Sequence, residues 1–369
     1  MRRLIFITYH PSSLVYHSIV RKAFPSDYPA HLVLIKHPYL KDIMIDQYKS
    51  FFDSILTLPE AFYSFNILPQ FKKAREIQSS LRENLLVKFE PNDEAYVFTD
   101  GSAFLPVNIV LSLINKHSQC RRIYDYYSDK PAYRSAENKL KTWLANIYTK
   151  YFHLNSVYAY QNKKFTSYLY DKPLPACPVS IAYRQTPMQD PEELLSADIL
   201  NINAGQMGEA KKNPGIILVI GGATVFKAFE HLFPDYQTYE ERMKSFFLRL
   251  KKVYKNDKIL YKPHPADNNQ LMPGVKEAEC GIIHEELTAE MIIERMSSDV
   301  KACYTVASSA VHFSALLGIH SYMIYPYLAP ETNSIFGQTD IGKAAKSQTN
   351  KFLHLLNDLD EMGKYDVKS

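Results

Sequence analysis

Residues 258–265 read Lys-Ile-Leu-Tyr-Lys-Pro-His-Pro, an apolar run that stops in a rigid, cationic turn. The run has the length and residue types of a buried strand. In open α/β sheets, ligands sit outside the carboxyl ends of the strands. A lysine, an imidazole and two prolines at such an end suit a phosphate group. The prolines by themselves also serve to stop a strand and set a turn.

Reading outward, residues 215–222, Gly-Ile-Ile-Leu-Val-Ile-Gly-Gly, form the cleanest buried strand in the chain, and 300–306 another, followed by Ala307-Ser308-Ser309-Ala310. A basic helix at 239–254, a short strand at 281–284 and a helix at 287–296 lie between them. Beyond lie a helix at 311–317 closed by Gly318, a strand at 321–325 and a terminal helix at 344–359. Strand–helix repetition of this kind implies a mostly parallel sheet. The first half opens the same way, with strand 4–8, helix 14–23 and strand 31–36. Strand 95–99, helix 107–116 after Pro106 and helix 135–151 follow. Residues 171–214 carry Asp-Lys-Pro-Leu-Pro, Cys-Pro, Thr-Pro and Asn-Pro, the composition of a linker. The expectation is an α/β protein with two Rossmann-like domains facing across a cleft. Its parts are residues 1–175, a linker at 176–214, a second domain at 215–345, and a helix at 346–369 packing back on the first domain.

A chain of 369 residues that is 46% hydrophobic can bury two cores. Its net charge of +4 is mild for a nucleic-acid binder, which argues against that class, and suits an anionic substrate. Cys120, Cys177, Cys280 and Cys303 contain no C-x-x-C, which fits a reducing compartment and gives no zinc knuckle. The apolar run near the N-terminus is too short for a signal peptide or a spanning helix, so a cytoplasmic place is expected. Residues 245–255 have an apolar side and a Lys/Arg side. That pattern belongs to a helix in weak peripheral contact with anionic lipid, and equally to an ordinary surface helix. The 27 tyrosines and 20 phenylalanines serve sugar or headgroup binding, or the packing of large cores.

Three strand ends of the second half are polar in a related way: Gly221-Gly222, Lys262 with His264-Pro265, and Ser308-Ser309. Glycine lets a ligand approach the backbone or simply makes a turn. Serines before a helix cap it or hold an anion. Lysine and histidine add charge-assisted hydrogen bonds. No G-x-G-x-x-G and no G-x-x-x-x-G-K-[ST] is present. In the first half, Thr99-Asp100-Gly101 ends a strand and offers a carboxylate as a general base, or a turn. His10, Ser12 and Ser13 follow the first strand. No metal set is expected; the nearest cluster, His284-Glu285-Glu286, reads as a charge pair at a helix N-terminus.

These residues resemble the motifs of the bacterial GT-B sialyltransferases, of the lipooligosaccharide sialyltransferase and capsular polysialyltransferase type. The His-Pro motif matches as His264-Pro265 and the serine motif as Ser308-Ser309. The acidic-acidic-Gly motif matches as Thr99-Asp100-Gly101, with threonine in place of one acid. The resemblance implies a GT-B fold with the acceptor on the first domain and the nucleotide sugar on the second. It implies an inverting, metal-independent transfer of sialic acid from CMP-sialic acid to a glycan hydroxyl, with no cofactor. Asp100 would be the base. His264 would serve the leaving phosphate. Ser308, Ser309, Lys262, Pro265, Gly221 and Gly222 would hold the donor, and His10, Ser12 and Ser13 the acceptor. His-Pro after a strand also resembles CDP-glycerol or CDP-ribitol phosphotransferases and capsule Kdo transferases, and a non-enzymatic glycan-binding protein is the third alternative.

Overall fold

The computed structural model describes residues 1–62, 64, 66–99, 105–125, 147–148, 150–152, 184–186, 215–221, 235–264, 271–306, 308, 310–332 and 352–365. The chain forms two compact units, Met1–Ile202 and Asn203–Ser369.

In the first unit the strands are β1 (Arg2–Thr8), β2 (Ala30–Ile35), β3 (Ser54–Leu58), β4 (Glu94–Thr99), β5 (Gln119–Asp125) and β6 (Arg184–Thr186). They form one sheet in the order β3-β2-β1-β4-β5-β6, parallel except for β6. Among the described residues its helices include α1 (Ser13–Ala23), α2 (Asp42–Tyr48), α3 (Ile67–Asn84) and α4 (Leu105–His117). Leu4 to Thr8 are all buried, as a parallel strand covered on both faces requires. Alternation sends Ile5 and Ile7 to one face, into a core with Ala74, Ile77 and Leu81 of α3 and Ile109, Val110 and Ile114 of α4. On the other face Phe6 meets His17 of α1 at 5.3 Å, and His17 Nε2 lies 3.3 Å from the Ile7 carbonyl. Burial pushes that imidazole down to about 3, so it stays neutral and donates to the carbonyl.

The second unit has β7 (Ile216–Ile220), β8 (Lys258–Lys262), β9 (Gly281–Ile282), β10 (Val300–Thr305), β11 (His320–Met323) and β12 (Leu353–Leu355). Their order is β12-β11-β10-β7-β8-β9, all parallel. The helices are α5 (Tyr236–Val253), α6 (Ala289–Met296), α7 (Ala310–Leu316) and α8 (Tyr325–Leu328). Numbered within each unit, both sheets run 3-2-1-4-5-6, the doubly wound order.

Tyrosine here is a packing residue. Tyr239, Tyr261, Tyr304, Tyr322 and Tyr325 are fully buried in the second unit. Tyr304 and Tyr322 stack at 4.6 Å, and the Tyr304 and Tyr254 hydroxyls share a 2.6 Å hydrogen bond. The basic helix α5 is a surface helix whose inner face buries Tyr239, Met243, Phe246, Phe247 and Leu250. Arg242 pairs with Glu331, Lys244 with Glu240, Arg249 with Asp360, and Lys251 with Glu279.

The C-terminal segment corrects an expectation. Within the described part of the residues read as a terminal helix lie a strand, β12, and a 3-10 turn at Leu359–Glu361, in the second unit. Ser321 N–H donates to the Phe352 carbonyl and Leu356 N–H to that of Met323, so an exposed sheet edge is paired. Leu356 and Met362 join the second core. The expected helix at 135–151 falls largely outside the described residues. Among the described residues no helix is long and apolar enough to cross a membrane.

A buried ion pair closes the amino edge of the first sheet. Arg3 Nε and the N-terminal ammonium donate to Asp93 at 2.5 and 2.7 Å, and the Glu90 N–H adds a third bond. Burial works to raise the Asp93 carboxyl, but these donors outweigh it and hold it well below the usual carboxylate range. Asp93→Ala should therefore cost about 3 kcal/mol in denaturant titration at pH 7, because it leaves Arg3 without its buried partner. A depressed pKa contributes stability above the unfolded value, near 4, and loses it below. The difference between wild type and variant should shrink as pH falls under about 4; a constant difference would overturn this account.

Candidate functional site

The doubly wound order dictates where a crevice opens. In the second unit the chain leaves β7 toward β8 and β9, then returns to add β10 on the opposite side of β7. In open sheets of this order, ligands bind at the carboxyl ends of the strands where the order reverses, which here are those of β7 and β10. The register makes those ends level: Ile220 lies beside Lys262 of β8 and Thr305 of β10. Gly221, the Lys262–His264 turn and the loop to Ser308 thus leave three adjacent parallel strands side by side. The sequence placed each at a strand end; the strand order makes them neighbours.

Each residue has its own surroundings. Lys262 is 6% exposed, and its Nζ donates to the Pro263 carbonyl at 3.0 Å. Its field also bears on Glu285. That carboxyl is lowered chiefly by Arg295, at 2.6 Å, with burial opposing and Lys262 adding to the effect. Glu285 is therefore an ion-pair partner of Arg295. It precedes α6 by several residues and does not sit in its first turn, whose cap is Thr288. His264, just past the end of β8, is exposed. Ser308 is half-buried, and its Oγ accepts from the Ala310 N–H at 3.3 Å. A hydroxyl that accepts one bond still has its own proton to donate. Gly221 serves the interior. Its N–H donates to the Lys262 carbonyl at 2.7 Å, and a Cβ there would lie 2.5 Å from Tyr261 Oη and 2.9 Å from Lys262 O. Gly222, Pro265 and Ser309 lie outside the described residues.

The same strand order recurs in the first unit, where β1 and β4 lie at the switch point. Thr99 ends β4 beside Ile7 and has no exposure. An acid in its place would be desolvated, so threonine fits this position better than a second carboxylate would. Asp100 lies outside the described residues. After β1, His10 and Ser12 are half-buried while Ser13, the first residue of α1, is fully buried. Of that trio only His10 and Ser12 reach the surface. Sequence reasoning passed over His37, which ends β2 in Lys36-His37-Pro38 as Lys262-Pro263-His264 ends β8, the second strand of the other unit. An apolar run into a Lys-His-Pro turn was the available signal. Among the described residues no group of three or more His, Cys, Asp or Glu could hold a metal ion.

The chain matches no protein-family model and no curated protein. Among solved structures it is similar to the GT-B domain of a sialyltransferase from Photobacterium damselae, at 12% identity and TM-score 0.45 over 96% of this chain and 99% of that one. It is similar to the ADP-heptose lipopolysaccharide heptosyltransferase II of E. coli, at 12% identity and TM-score 0.38 over 88% and 84%. A UDP-N-acetylglucosamine 2-epimerase of Listeria monocytogenes gives 9% and 0.42 over 87% and 78%. Each of the two units carries a doubly wound α/β sheet, the Rossmann-like class that the strand–helix repetition implies.

Gly221→Ala should lower stability by about 1–3 kcal/mol, the usual cost of overpacking. Tyr261→Phe should recover only part of that, because the ring carbon and the Lys262 carbonyl still crowd the new methyl. Urea titration of the single and double variants checks this. An unchanged midpoint in Gly221→Ala would overturn this account of the glycine.

Proposed function

We propose that the protein is an inverting sialyltransferase that moves sialic acid from CMP-sialic acid to a hydroxyl of a surface glycan. The observation that supports this reading is that the Lys262–His264 turn and Ser308 leave the two strands flanking β7, with the ends of all three strands level. The His-Pro and Ser-Ser resemblance supports it by giving those residues a common task, the nucleotide phosphate.

In this reading the acceptor oxygen attacks C2 of the donor. The C2–O bond to the phosphate breaks, and its electron pair leaves on the phosphate oxygen of CMP. Asp100 takes the acceptor proton. Lys262, His264 and the Ser308 hydroxyl meet the charge that grows on the leaving phosphate, as fixed donors that need no reorganisation. The buried Lys262 is the strongest of these, because a cation out of water interacts more strongly with a phosphate than one at the surface. Charge compensation then comes from side chains, and transfer should continue in EDTA.

The test is turnover of CMP-sialic acid with an oligosaccharide acceptor, following CMP release and sialylated product together. His264→Ala should lower kcat by about 10²- to 10⁴-fold, the usual worth of a positioned acid or donor. Lys262→Met should raise the donor KM. Transfer of glycerol phosphate or ribitol phosphate from a CDP donor, with no use of CMP-sialic acid, would replace this reading with a phosphotransferase. Full activity in His264→Ala would remove the histidine from the mechanism.

A further inference from the structure

We propose that the carboxyl edge of the first sheet is built to hold an uncharged pyranose ring, stacked on Tyr39 and gripped by Glu60, with His10 and His37 beside it. The inference rests on the transferase reading only in calling that sugar the acceptor. The binding surface itself is argued from the first unit alone.

Three neighbouring parallel strands deliver the parts. β1, β2 and β3 end nearly level, with Thr8 beside Leu34 and Ile35 beside Leu58. Tyr9 and His10 follow β1, His37 and Tyr39 follow β2, and Glu60 follows β3. Tyr9, His10 and His37 pack against one another, and Tyr39 extends the set from His37. Tyr9 lies 5.0 Å from His10 and 5.2 Å from His37, His10 lies 6.0 Å from His37, and His37 lies 5.3 Å from Tyr39. Tyr9 is buried at the hub, both imidazoles are half-buried, and Tyr39 is outermost at 58% exposure. The Tyr9 hydroxyl donates to Glu60 Oε1 at 2.7 Å, which fixes the half-buried carboxylate against the ring array.

The chemistry of this set is that of a sugar site. A pyranose has an apolar face of C–H groups and a rim of hydroxyls. An exposed tyrosine ring removes the apolar face from water, in the manner of its amphipathic use at interfaces. A carboxylate with one oxygen held by Tyr9 has lone pairs left to accept from neighbouring hydroxyls, and imidazoles can donate or accept. Core packing does not account for Tyr39, which is largely exposed, nor for Phe62, 43% exposed two residues past Glu60. The carboxylate of Glu60 also sets the charge class, because it repels an acidic ring brought against it. Lys36, exposed just before His37, is the group that would favour an acidic glycan instead.

The experiment is calorimetric or NMR titration of the full chain with neutral disaccharides ending in galactose, glucose or N-acetylglucosamine, and with sialyllactose as the acidic probe. Binding of at least one neutral disaccharide, more tightly than sialyllactose, is expected. Tyr39→Ala should weaken it at least tenfold and Glu60→Gln about fivefold, with CMP affinity unchanged and thermal unfolding near wild type. If turnover is measurable, both variants should raise the acceptor KM more than they lower kcat. Equal affinity in wild type and variants, tighter binding of sialyllactose, or no binding of any neutral disaccharide would each overturn the proposal. Failure of the transferase reading has a different signature: no CMP binding by the wild type while the disaccharide results stand.

Discussion

Both units depend on one constraint, the return of the chain across its own sheet after the third strand. Right-handed crossovers carry each sheet outward through its first three strands, and the fourth must then pair on the far side of the first. Backbone hydrogen bonding enforces this, because β1 and β7 are central strands and need a partner on both edges. That pairing puts the switch point of one sheet at the ends of β7 and β10 and that of the other at the ends of β1 and β4, where folds of this order place ligands. The polar strand ends gain meaning from this position, since a lysine or a serine after an isolated strand has no shared ligand to address.

Packing and chemistry divide the aromatic residues between them. Tyr304, Tyr322 and Tyr261 fill the second core, and Gly221 is small because the Tyr261 ring and the Lys262 carbonyl lie against it. A glycine at a strand end therefore reads in two ways, and here the neighbouring tyrosine decides for packing. Tyr39 shows the opposite case. Its ring lies outside the core, on the His37 imidazole that the buried Tyr9 supports. The cations of α5 follow the same division, with an apolar face that holds the helix to the sheet and lysines and arginines matched to carboxylates on nearby segments.

Much of the fold was legible because parallel strands are buried on both faces and so appear as unbroken apolar runs. β1, β7, β8 and β10 could be read in that way within a residue or two. Elements with weaker marking were missed. β3 alternates between half-buried and exposed positions, as an edge strand does, and α3 has a proline in its first turn and carries many charges. β12 was taken for helix because Leu-His-Leu is too short to show a period, and only the free edge of β11 makes it a strand. Thr99 could be seen as a departure from an acidic motif. That it is buried, and why an acid would fit poorly there, needed the sheet.

The sequence by itself determined the class of the fold, the strand ends and the residue types available at each of them. Those follow from local rules, namely apolar runs, turn-forming prolines and the chemistry of lysine, histidine and serine. Tertiary structure decided which ends are neighbours. Gly221, His264 and Ser308 are separated by about forty residues in each step of the chain, yet they leave adjacent strands because β7 pairs with β8 on one side and β10 on the other. The ring array of Tyr9, His37 and Tyr39 likewise exists only after β1 and β2 pair. Strand order is set by long-range hydrogen bonding and crossover handedness, and neither is written in any single stretch of residues.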